Sequence, residues 1–127
     1  MQDNHLFEYA LIRLVPRVER EEFINVGVIV YCARKKYLQC RLHLNEEKAM
    51  MLDGKIDLET VKENLLSIDL ICKGDAKGGP IAKLDAPSRF RWITATRSTM
   101  IQSSKVHPGL CTDPDKLLEH LFHTMVI

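Results

Sequence analysis

The chain has 127 residues, one domain's worth, and can bury a core without disulfide or metal staples. Its composition is 46% apolar and 28% charged, with 18 basic against 17 acidic residues. That excludes a disordered chain, a coiled coil, a collagen-like repeat and a globally basic nucleic-acid binder.

Residues 7–15, with Leu6 just before them, are apolar on both alternating sets, Leu6, Ala10, Ile12 and Leu14 on one and Phe7, Tyr9, Leu11 and Val15 on the other. A strand apolar on both faces belongs inside a sheet covered on each side. Pro16 ends it, because proline cannot donate to a ladder. Arg17 to Glu22 is a charged connection with room for one helical turn. Phe23 to Ala33 is rich in β-branched residues and again apolar on both sets, so a second inner strand is expected. Gly27 inside it marks a bulge or a close backbone approach, and Asn25 beside it is expected to bond a loop carbonyl or Ser98 in a structural role.

Arg34-Lys35-Lys36 reads as a polar turn. In the next strand Leu38, Cys40, Leu42 and Leu44 alternate with Tyr37, Gln39, Arg41 and His43, the period of a half-buried strand returning as a hairpin. A hairpin centred on Lys36 makes Cys32 and Cys40 cross-strand neighbours, and a two-residue loop shifts that register by one.

Helical signals follow. Asn45 caps a helix over Glu46 to Leu52 with Gly54 as its stop, and Asp57 caps a longer one from Leu58 to Lys73 that ends at Gly74. Pro80 to Ile93 reads as two short helical pieces broken at Pro87, and Thr99 to Val106 as an edge strand or ordered loop. Asp113-Pro114 opens a last helix whose core stripe is Leu117, Leu118, Leu121, Phe122 and Met125. Strands followed by helices define the class: α+β, an antiparallel β-sheet of three to four strands with three to four helices packed on it, in a single domain over 1–127.

Cys32, Cys40, Cys72 and Cys111 include no Cys-x-x-Cys pair, and the N-terminus has neither the charge nor the apolar run of a secretory signal. The longest apolar run, Val26 to Ala33, is too short to span a membrane. A cytoplasmic protein with reduced thiols, no membrane contact and no cofactor is expected.

Charge is concentrated locally. Between Lys73 and Lys105 seven basic residues face two acidic ones. Arg91 beside Trp92, with Arg97, Ser98 and Thr99 shortly after, suits a phosphate or carboxylate, because guanidinium forks bind oxyanions bidentately and hydroxyls add donors. The plainer alternative is a solvated face whose arginines pair with Glu19, Glu21 and Glu22. His107-Pro108-Gly109 reads as a turn carrying a titratable group. As a general base His107 needs a nucleophile such as Ser98, Ser103, Ser104 or Cys111 within reach, but no nucleophile elbow accompanies it. His120 and His123 are three apart on the last helix, but a structural zinc needs two more ligands and no Cys-x-x-Cys provides a pair. Neither catalytic nor metal residues are assigned.

Two stretches carry a resemblance. One is Tyr9-x-x-Ile12-Arg13-x-Val15-Pro16 with Glu22-Phe23-x-Asn25-Val26-Gly27-Val28. The other is Phe90-Arg91-Trp92, Arg97-Ser98-Thr99, His107-Pro108-Gly109-Leu110 and Asp113-Pro114. Together they resemble the bacterial domain-of-unknown-function family 3037 over nearly the whole chain. Members have no settled activity and are often encoded beside kinases resembling the persistence kinase HipA. The resemblance therefore implies a non-catalytic protein-interaction module, partner or regulator of a HipA-like kinase. Its contact surface is expected at Arg91, Arg97, Ser98, Thr99, Lys105 and His107 with Asn25 beside them. An alternative is an anion or nucleic-acid binder using Arg89, Arg91, Arg97 and Lys105. A second alternative is a hydrolytic enzyme centred on Arg97, Ser98 and His107.

Overall fold

The computed structural model describes residues 4–97 and 99–127. Three strands, β1 (His5–Leu14), β2 (Ile24–Cys32) and β3 (Tyr37–Leu42), form an antiparallel meander. The other edge of β1 pairs with β4 (Ile101–Ser103) and then with β5 (His107–Cys111), so the sheet runs β3-β2-β1 and closes on two short strands lying end to end. Helices α1 (Glu46–Leu52), α2 (Leu58–Lys73) and α3 (Ala86–Thr94) fill the crossover between the two edges. Helix α4 (Pro114–Leu121) continues into a π-helical turn, Phe122–Val126. Among the described residues five antiparallel strands and four α-helices make the expected α+β class.

Both faces of the inner strands are covered, as their double apolar pattern requires. Ala10, Ile12, Leu14, Ile29 and Tyr31 pack under α2 and α3 against Val61, Leu65, Ile68, Phe90 and Ile93. Phe7, Val28, Val30 and Cys32 pack on the opposite face against Leu118, Leu121, Phe122 and Val126. Each fully buried side chain of this kind contributes about 1.5–3 kcal/mol, so the two cores together hold the sheet between its helices.

The helix starts are set by local chemistry. Asn45, Asp57, Asp85 and Asp113 each accept a backbone N–H of the first turn, at 3.1, 3.3, 3.0 and 3.0 Å. Gly74 ends α2 in the left-handed region (φ 71°). Helix α1 instead ends at an extended Asp53, so Gly54 is not its conformational stop. Pro87 lies in the first turn of α3, where its missing N–H costs nothing; the break between the helical pieces falls at Leu84–Asp85.

Three sequence expectations give way to tertiary constraints. The β2–β3 hairpin pairs Cys32 with Tyr37 and Cys40 with Ile29, so the two cysteines are not cross-strand neighbours. Residues 33–36 form the loop, closed by a 3.0 Å bond from the Lys36 N–H to the Ala33 carbonyl with Lys36 left-handed (φ 52°). His107-Pro108-Gly109 is strand rather than turn. It pairs with Phe7 to Tyr9 at the sheet's edge, the place where a strand tolerates proline. On the last helix the π turn advances the phase by a residue. Val126 is therefore buried and Met125 is 42% exposed.

The bulge that Gly27 signals is present one residue away: Ile12 pairs with Gly27 and Arg13 with Asn25, leaving Val26 as the extra residue. Gly27 also permits a close approach. A Cβ there would stand 3.0 Å from the Arg41 carbonyl oxygen and collide with the Leu42 side chain.

Candidate functional site

The arginines of the basic segment take three different roles. Arg89 turns inward, and its Nη1 donates to the carbonyls of Ile71 and Cys72 at 3.3 and 3.1 Å. It thus caps the C-terminal end of α2, where a cation suits the helix dipole. Arg91 makes a two-bond fork with Glu8 of β1 at 3.1 and 3.3 Å. The acids of the first connection do not reach it: Glu19 pairs with Arg17 and Glu22 with Arg20.

Arg97 is different. Its guanidinium lies 4.0 Å from the centroid of the Trp92 ring, and Nη2 donates to the Trp92 carbonyl. Among the described residues no carboxylate forms a salt bridge with it. Helix α3 ends at Thr94, so Arg97 folds back over its last turn, anchored by stacking and by the Trp92 carbonyl, which also accepts the Ala95 N–H. Partial burial holds its pKa below the usual arginine value. One guanidinium N–H is spent on the anchor, and the remaining donors are set beside a cleft.

That cleft has a volume of about 320 Å³ and lies between α2, α3 and β4. Its apolar surface comes from Ile12, Ile68, Ile93 and Ile101 with Trp92. Its polar rim includes Asn64 and Ser67 from α2 and Arg97 and Thr99 from the loop after α3. Arg97 is the one charged residue among the described residues lining it. By contrast, the hollows beside Tyr37 and beside Gln39 each bring acids together with bases: Lys35 with Asp113 and Asp115, Arg41 and Lys116 with Glu119. A mainly apolar cavity with a few convergent polar groups is the usual form of a binding site.

The other expected residues divide around this cleft. Thr99 lines it, its hydroxyl donating to the Ile101 carbonyl at 2.8 Å. Ser98 lies outside the described residues. Lys105 is exposed in the break between β4 and β5. His107 stacks on Tyr9 (centroids 5.1 Å apart), a residue of the α4-side core, and does not line the cleft. Arg97 and His107 therefore do not share a pocket. Asn25 is also remote, its Nδ2 donating 3.0 Å to the Met125 carbonyl of the π turn. Its partner is thus the terminal segment, not a residue of the loop after α3.

The two signature stretches meet only in part. From the first, Ile12 forms floor of the cleft; from the second come Trp92, Arg97 and Thr99. Asn64 and Ser67 have no place in either stretch. They follow one another at helical spacing beside the buried stripe Val61, Leu65 and Ile68. Two short polar residues along an apolar stripe are the trace they leave in the sequence.

Among the described residues no group of three or more His, Cys, Asp or Glu side chains is arranged to hold a metal ion. His123 pairs with Glu119 at 3.3 Å. All four cysteines are free thiols, and burial raises the pKa of Cys111. No helix of the described residues is long and apolar enough to cross a membrane.

With this geometry in hand, comparison with known proteins places the chain in one family. Residues 9–126 match the family model of a protein of unknown function, DUF3037, and the chain belongs to that family. No curated protein and no solved structure matches it.

Proposed function

We propose that this protein is a non-catalytic interaction module that takes a segment of a partner protein into the cleft between α2, α3 and β4. The observation that carries this reading is the state of Arg97: stacked on Trp92 at an apolar cleft and facing no carboxylate among the described residues. An arginine and a half-exposed tryptophan side by side are the residue types that dominate binding energy at protein interfaces. A HipA-like kinase, implied by the family resemblance, is the first partner to test, in a cytoplasmic setting.

The test is size-exclusion chromatography of the chain mixed with such a kinase at micromolar concentration. A complex is expected for the wild-type chain and for Arg91→Ala, and lost for Trp92→Ala and Arg97→Gln. No wild-type complex overturns the kinase as partner, and a complex indifferent to both cleft substitutions overturns the cleft as its surface.

Binding of nucleic acid is the second reading, and exposed Lys105 together with Arg97 favours it. Of the four basic residues expected to serve it, Arg89 and Arg91 are engaged within the fold, which leaves Arg97 and Lys105 to meet phosphate. Affinity for short RNA or DNA should then fall with salt with a log–log slope of about −2 or shallower. A steeper slope would mean that further basic residues, such as exposed Lys77 and Lys83, also contact phosphate.

A further inference from the structure

Resting on the cleft reading above, we infer that the cleft selects a monoanionic carboxylate carried next to an apolar side chain, as at the C-terminus of a partner ending in an aliphatic or aromatic residue. Charge complementarity sets the sign of the ligand. Among the described residues Arg97 is the one charge on the lining, and no acidic side chain lines it. The amount of charge is limited by the same surroundings. Arg97 sits over the last turn of α3, whose carbonyl end is partially negative, and one of its N–H groups already serves the Trp92 carbonyl. A phosphate dianion would meet one cation, already shared with the Trp92 carbonyl, and remain poorly neutralised. A carboxylate is matched by a single guanidinium fork.

The body of the ligand follows from the floor. The exposed Trp92 ring, backed by four isoleucines that are themselves nearly buried, rewards burial of an aliphatic or aromatic side chain, at about 25 cal/mol per Å² of apolar surface removed from water. Asn64 and Ser67 offer neutral donors and acceptors on the α2 wall, as a peptide group next to that side chain requires. A carboxylate, an apolar side chain and a peptide bond within one residue's reach is the chemistry of a chain terminus.

The test is a titration of the ¹⁵N-labelled full chain, followed by NMR, with three probes at millimolar concentration: N-acetyl-phenylalanine, its amide, and inorganic phosphate. The acid should shift the Trp92 indole N–H and backbone signals of residues 92–101, with the amide at least about tenfold weaker, the cost of losing a charge-assisted fork. Arg97→Gln should erase the difference between acid and amide, and Arg97→Lys should keep part of it. Spectral dispersion of each variant shows that it is folded. Equal binding of acid and amide, a stronger response to phosphate, or no response of the cleft to the acid overturns the carboxylate assignment. Each of these results is distinct from failure of the cleft reading, which is decided by the effect of Trp92→Ala on partner binding.

Discussion

Leu11 and Ser104 exchange two hydrogen bonds across the edge of β1. The Ser104 N–H donates to the Leu11 carbonyl at 2.8 Å, and the Leu11 N–H donates to the Ser104 hydroxyl, also at 2.8 Å. Ile12 pairs with Ser103 and Tyr9 with His107, so two residues of β1 face three between β4 and β5. The extra residue breaks the ladder, and a serine side chain replaces the missing backbone acceptor. This is how two short strands act as one edge, and how the loop that carries Arg97 and Thr99 is tied to the sheet.

Ser104→Ala should leave the Leu11 N–H without its acceptor. Ser104 is buried, so the expected cost is about 1–3 kcal/mol, read as a lower urea midpoint with an unchanged slope. A change within experimental error would mean that water replaces the hydroxyl.

Gly109→Ala tests how closely β5 lies on the core. A Cβ at Gly109 would sit 2.5 and 2.8 Å from two atoms of the Phe7 ring. Overpacking should cost about 1–3 kcal/mol. Phe7→Leu removes the ring atoms concerned, so the double variant should be more stable than the sum of the two single effects predicts. Strict additivity in equilibrium unfolding would show that the strand moves instead.

Arg89 and Arg91, two residues apart, should behave differently. Arg91→Ala removes an exposed pair with Glu8 and should cost less than about 1 kcal/mol, the less so at high salt. Arg89→Met removes bonds to two carbonyls at the end of α2, with an expected cost of about 1.5–3 kcal/mol. Denaturation of both variants at low and high salt distinguishes them, and an equal cost would contradict the capping role.

Alkaline pH should weaken the fold through Tyr37. Burial, then the hydrogen bond to Asp115 at 2.7 Å, raises its pKa well above the ordinary 10.0. The folded phenol keeps its proton while the unfolded chain ionises, so the unfolded state binds fewer protons above that pH. Stability is therefore complete below about pH 10 and falls as pH rises past it. Tyr37→Phe should flatten this decline in chemical denaturation between pH 9 and 11 (about one unit either side of the ordinary value), and an unchanged decline would place its origin elsewhere.

The helices were legible because their signals are local. Asp57 and Gly74 bound α2 at the residues where side-chain capping and a left-handed turn act within a few positions of the chain. The apolar faces of β1 and β2 were legible for a similar reason, since burial on both sides leaves no room for alternating polarity. What those strands pair with was not. The β2–β3 register depends on the left-handed Lys36, and Pro108-Gly109 reads as a turn until Phe7 to Tyr9, about a hundred positions earlier, supplies the pairing partner.

The candidate site divides in the same way. Local charge alone marked Arg89, Arg91, Arg97 and Lys105 as one basic segment, with His107 just beyond it. Only the tertiary structure separated them, sending Arg89 to the end of α2, Arg91 to Glu8 and His107 to the opposite face, and leaving Arg97 beside a cleft with Asn64 and Ser67. The physical reason is range. Capping and periodic burial are decided by neighbours along the chain, whereas the partner of a long charged side chain is decided by whichever carbonyl, carboxylate or ring the packed sheet and helices bring within a few ångströms.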